Sequence, residues 1–126
     1  MTCQLRGLAL VALLSVFGCG ADASGGWSGT WTGANASGAG NMTLSLRQLG
    51  SQVSGEAIVL GAGCFAGGTV SATVSGDTIS ATASSGQVEM RMDGTLSSDD
   101  RTMGGTYVFA GGVCTGQNGE WSVSRQ

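Results

Sequence analysis

Apolar side chains in this chain recur at every second position in one segment after another, and that period constrains the fold more than any other feature. Met42, Leu44 and Leu46 alternate with Thr43, Ser45 and Arg47. Val70, Ala72 and Val74 repeat the pattern, as do Ile79, Ala81 and Ala83, and then Val88, Met90 and Met92 against Glu89, Arg91 and Asp93. Tyr107 and Phe109 follow, then Trp121 and Val123, while Trp27 and Trp31 share one face at the start. Val53, Ala57 and Val59 fit less cleanly, because Ile58 and Leu60 are apolar as well. An extended backbone points successive side chains to opposite faces, so a period of two describes half-buried strands. No segment shows a helical period. The reading predicts eight strands, near 27–33, 41–48, 52–60, 68–75, 78–84, 87–96, 102–110 and 119–125. Many short strands joined by Gly-marked turns imply an all-β fold, here an eight-stranded antiparallel up-and-down barrel, with a β-sandwich as the alternative.

The connections favour the barrel. In an up-and-down order, alternate connections fall at the same end. The second, fourth and sixth are tight or polar: Leu49-Gly50-Ser51, Ser75-Gly76-Asp77 and Ser97 to Arg101. The first, third and seventh are longer and rich in Gly, at 34–40, 61–67 and 111–118; only the fifth, Ser85-Gly86, is short. One end is therefore expected to be closed and the other to form a mouth. Cys64 lies in the third connection and Cys114 in the seventh, so both belong at the mouth.

One continuous apolar run, Leu8 to Phe17, follows Arg6 at the start of the chain. It is too short to cross a hydrocarbon core of about 30 Å, which takes about 20 helical residues, and it reads as an export signal. Two processing sites follow it. Val16-Phe17-Gly18-Cys19 resembles the bacterial lipobox, with a branched residue three before the Cys and a small one beside the cut; Phe17 is larger than the pattern prefers. That resemblance implies a lipid on Cys19. The other site, Ala21-Asp22-Ala23, suits ordinary signal peptidase and would release a soluble secreted chain beginning at Ser24. A Cys placed directly behind the apolar run favours the lipobox. The expected organisation is then a signal peptide at 1–18, a lipidated Cys with a short flexible tether at 19–26, and one barrel domain at 27–126. The membrane, reached through Cys19, is the expected partner. Gly20 stands where an Asp can retain lipoproteins in an inner membrane, which favours the outer membrane or cell surface of a bacterial envelope.

Composition excludes several classes. The formal net charge is −3, and the sequence has neither Lys nor His, so no basic patch exists and nucleic acid is not an expected partner. With Cys3 in the leader and Cys19 lipidated or removed, Cys64 and Cys114 remain. In an exported protein two such thiols usually pair, and closing a loop of about 50 residues stabilises by roughly 4 kcal/mol on chain-entropy grounds. Zinc is a weak alternative, since two Cys without His supply too few ligands, and no metal or cofactor is expected. Catalysis is not expected either. There is no His, no Gly-x-Ser-x-Gly elbow and no unpaired thiol after export, and Glu56, Glu89, Asp93 and Glu120 fall on outward positions.

A Gly-x-Trp in the first strand of such a barrel, with an Arg leaving the last strand, resembles the calycin pattern of lipocalins and avidins. The residues are Gly29-Thr30-Trp31 and Arg125; Gly25-Gly26-Trp27 is a second copy. The resemblance implies that Trp31 plugs the closed end while Arg125 packs across its ring as a cation–π pair. The segments GTWTG, GNMTLSL and QVSGEA are similar to the first hairpin of avidins, but no Trp lies between Trp31 and Trp121, so the aromatic walls of a biotin site are missing. The ending Gly119 to Arg125 is similar to the close of small Gly/Thr-rich bacterial lipoproteins of unknown role.

Barrels of this size are either filled by side chains or hold one small ligand. Met42, Leu44, Ala81, Met90, Met92, Tyr107 and Phe109 face inward together with Trp31 and smaller residues such as Ala57, Ala72 and Ala83. No charged residue falls clearly on that face. Two roles follow: capture of a small apolar ligand by these residues, or a structural or protein-interaction module with a filled interior and a protein partner that the sequence does not name.

Overall fold

The computed structural model describes residues 21–36 and 38–126. The expected signal peptide at 1–18 and lipidation site at Cys19, with Gly20, lie outside the described residues. Eight antiparallel strands form one closed barrel in which each strand pairs with its neighbours in sequence and the last closes on the first. They are β1 (Gly25–Gly33), β2 (Ala39–Leu49), β3 (Gln52–Val59), β4 (Gly67–Ser75), β5 (Thr78–Ser85), β6 (Val88–Leu96), β7 (Thr102–Ala110) and β8 (Asn118–Arg125). The barrel, rather than the sandwich, is the architecture. Closure removes the unpaired edges that an open sheet would leave.

The period of two is the period of burial. In β2, Met42, Leu44 and Leu46 are buried while Ser45 and Arg47 are exposed; β4, β5 and β8 alternate in the same way. Ile58 and Leu60, which blurred the pattern in the sequence, point outward and are each 55% exposed. Among the described residues no polar or charged residue is buried, so the interior is apolar throughout.

Strand bounds differ from expectation chiefly at the first hairpin. β1 begins at Gly25 and β2 runs from Ala39 to Leu49, because Gly25 and Gly26 pair with Leu46 and Ser45 and extend the ladder beyond the apolar residues. A ladder needs backbone partners, not apolar side chains, so its ends outrun the hydrophobic pattern. The parity of the connections holds. The β2–β3, β4–β5 and β6–β7 turns lie at the end where β1 starts and β8 stops, and the longer loops lie at the other.

Candidate functional site

At the mouth, a disulfide joins Cys64 in the β3–β4 loop to Cys114 in the β7–β8 loop, with their Cα atoms 6.1 Å apart. These loops sit on opposite sides of an eight-stranded ring, so the bond straps the opening. Phe65, beside the strap, turns inward and is buried. Its ring meets Phe109 edge-on at 5.7 Å, Phe109 meets Tyr107 at 5.5 Å, and Tyr107 meets Trp31 at 6.1 Å, the last pair nearly perpendicular. Edge-to-face pairs of this kind add about 0.5–1.5 kcal/mol each beyond their burial. The Trp31 indole N–H donates to the Leu60 carbonyl in the β3–β4 loop, 2.9 Å away. Trp31 thus belongs to the mouth.

The closed end is plugged by the other tryptophan. Trp27 has no exposed surface, and the Arg125 guanidinium lies 4.3 Å from its ring centroid. The pairing read onto Trp31 is therefore corrected to Trp27. The cause is register: β1 and β8 run antiparallel with Trp27 opposite Arg125 and Trp31 opposite Trp121, so a slip of four residues would be needed to bring Trp31 and Arg125 together.

The segment expected to be a loose tether is also different. From Ala21 onward it is folded against the closed end. The Ala21 N–H donates to the Gly76 carbonyl in the β4–β5 turn, across the ring from β1. Gln48, at the end of β2, accepts from the Ala23 N–H at 2.8 Å and donates to the Ala21 carbonyl at 3.1 Å. Ala23 is fully buried, and its carbonyl accepts from the Trp27 indole N–H at 2.9 Å. Arg125 donates to the carbonyls of Asp22, Ser24 and Asp100, which ties the segment to the β6–β7 turn. The physical reason is that the end of the barrel exposes Trp27 and unpaired backbone groups, and a short extended segment covers the one while satisfying the others. Residues 21–24 are a lid on the closed end.

Between the two ends, the structure brings all seven residues proposed to meet a ligand onto one inner surface. Met42, Leu44, Met90, Met92, Tyr107 and Phe109 are at most 4% exposed, and Ala81 is 9% exposed. The walls of a cavity of ligand size would remain accessible from within. These side chains instead belong to one apolar core cluster with almost no accessible surface, as in close-packed interiors. Trp121 shows how the space is filled, and it went unassigned in the sequence reading. Its ring faces inward beside Gly94, where a Cβ would stand 2.8 Å from the indole Cζ2, and its N–H donates to the Thr106 carbonyl at 3.0 Å. A Gly on an inward position of a strand, opposite a Gly on the next, was the available signal; Gly94 pairs with Gly105 and Gly105 with Trp121.

Outside, the carboxylates stand apart from the interior. Asp93 accepts from the Ser80 hydroxyl at 2.8 Å, and Glu89 pairs with Arg91 at 3.2 Å on exposed surface. A shallow groove of about 420 Å³ runs over β7, β8 and β1, with Thr30, Thr32, Thr106, Glu120 and Ser122 along it beside Gly104, Gly105 and Trp121. Two groups titrate away from their ordinary values. The Asp99 carboxyl is held below 3.8, chiefly by the Ser97 hydroxyl and then by the Arg101 backbone N–H, and burial raises the Tyr107 phenol above 10.0. Among the described residues no group of three or more Cys, Asp or Glu is placed to hold a metal ion. No protein-family model matches the chain, and no curated protein matches it significantly.

Proposed function

We propose that this protein is a lipid-anchored envelope protein whose barrel is a filled, rigid module, acting through its surface rather than through a ligand inside it. The observation that carries the reading is the packing at both ends and between them: Trp27 and the 21–24 segment at one end, the strapped aromatic row at the other, and Met42, Met90 and Met92 almost without exposed surface in the middle. Adaptable Met side chains take up the irregular space that a binding barrel would leave open.

The anchor rests on the sequence around Cys19 and gains support from the folded segment behind it. Cutting before Cys19 keeps Ala21, Asp22 and Ala23, which cover Trp27. Cutting after Ala23 removes the carbonyl that pairs with the Trp27 indole and the residues that bridge Gln48, Gly76 and Arg125. Lipoprotein processing therefore preserves the domain, whereas release at Ser24 strips it of its lid.

Intact mass of the protein isolated from its own host tests the anchor. The expected mass begins at Cys19 and includes a diacylglyceryl group; a mass beginning at Ser24 defeats the reading. Organic extraction of the native protein tests the filled interior, and bulk lipid alone is expected. A defined apolar compound, captured by the native chain and lost on Ala81→Phe, would instead establish the ligand-binding role.

A further inference from the structure

We infer that the closed end of the barrel is the face that rests on the bilayer, with the disulfide-strapped mouth turned away from it. The inference rests on the lipid anchor at Cys19 proposed above. Its own ground is the folded segment. Ala21 is fixed to the closed end by its N–H on Gly76 and its carbonyl on Gln48. Two peptide units separate Cys19 from Ala21, and each spans at most about 3.8 Å between Cα atoms. The lipidated residue is therefore confined to within about 8 Å of the Ala21 Cα, which is itself hydrogen-bonded to the β4–β5 turn. A free tether over 19–26 would have let the barrel tumble; this one cannot reach the mouth.

The closed end also offers an apolar side chain to the bilayer, although exposure alone does not choose between the ends, since Val113 at the mouth is 91% exposed. Leu49, at the tip of the β2–β3 turn, is 80% exposed. It adjoins Gln48, whose side-chain amide also donates to the Gly50 carbonyl at 2.9 Å while holding Ala21, so the exposed Leu and the anchor emerge side by side. An apolar side chain beside an acyl anchor enters the interface between headgroups and chains. The same end carries Asp22, Asp77, Asp99 and Asp100 against Arg47, Arg101 and Arg125, so anionic lipid is not what draws it down. The partner surface is the apolar boundary of the bilayer, zwitterionic lipid included.

The test uses the lipidated full-length protein, confirmed by intact mass, in vesicles of phosphatidylcholine brominated near the headgroup end of its acyl chains. Two variants place a fluorophore at opposite ends, Leu49→Trp and Val113→Trp. Val113, at the mouth, is 91% exposed, so neither position is needed for folding, and the unsubstituted protein supplies the background of the native tryptophans. The added emission of Leu49→Trp is expected to be quenched at least threefold more than that of Val113→Trp, with no dependence on added anionic lipid. Equal quenching, or stronger quenching at position 113, on protein that carries its lipid overturns the orientation while leaving the anchor intact. Protein whose mass lacks the lipid overturns both.

Discussion

The two ends of the barrel are sealed by different means. At the mouth, two loops far apart in sequence are joined covalently, and a row of aromatic rings from Trp31 to Phe65 lies beneath the bond. At the closed end nothing is covalent. A tryptophan, an arginine and a short stretch of backbone from the two extremes of the domain hold one another by a cation–π contact and hydrogen bonds to carbonyls. The mouth thus depends on redox state, and the closed end depends on residues 21–24 being present. One barrel carries two separable locks.

Breaking the closed end at its centre should have the largest effect. Trp27→Ala removes a fully buried indole and is expected to cost about 4 kcal/mol in chemical denaturation, within the usual range for a large aromatic. Arg125→Met keeps much of the bulk but loses the ring contact and three carbonyl partners; roughly half that cost is expected. If Trp27→Ala cost no more than a surface substitution, the closed end would not be a lock.

The mouth responds to a different treatment. Replacing Cys64 and Cys114 together by Ser should cost about 3–4 kcal/mol, close to the loop-closure figure for a sequence separation of 50. The loss should be local in character. In a nitrogen–proton NMR spectrum the Trp31 indole signal, bonded to Leu60, should shift and exchange faster, while the Trp27 signal, bonded to Ala23, should keep its position and protection. Equal changes at both indoles would show that the two ends are one cooperative unit.

The smallest effect is titration. Because burial raises the Tyr107 phenol above 10.0, the folded state disfavours the phenolate; stability is then full below pH 10 and falls as the pH rises beyond it. Denaturation midpoints should decline above pH 10 in the native chain and hold steady in Tyr107→Phe. The closed end has no such group within its seal, so the Trp27 indole signal should be the later of the two to respond to alkali.

Much of this was readable from residue order. Alternation placed Met42, Leu44, Met90 and Met92 inside, and the parity of the connections brought Cys64 and Cys114 to one end, because both depend only on counting along strands. The choice between Trp27 and Trp31 could not be made by counting. Both lie on the inner face of β1, so either satisfies the alternation, and only the inter-strand register puts Arg125 opposite the first. The lid was hidden for another reason. Ala21-Asp22-Ala23-Ser24 is small and polar with no period of its own, and what orders it is the set of carbonyl and amide partners on Gln48, Gly76 and Arg125, contributed by strands and turns remote in sequence. Whether the interior is filled or open depended on how the rings of Trp121 and Trp31 lie against glycines and on Phe65 turning inward, which a pattern of apolar positions does not contain.

Residues 21–24 either belong to the fold or hang from it, and that decides how the closed end is sealed. The direct test compares thermal unfolding of two soluble chains, one beginning at residue 19 with Cys19→Ser and one beginning at Ser24. Losing the bonds to Trp27, Gln48, Gly76 and Arg125, offset by the freedom regained by the removed residues, should lower stability by about 2 kcal/mol, or about 10 °C in Tm. The shorter chain should also lose protection of the Trp27 indole while that of Trp31 is kept. Equal melting temperatures and an unchanged Trp27 signal would contradict the account, leaving 21–24 a tether and the closed end sealed without it.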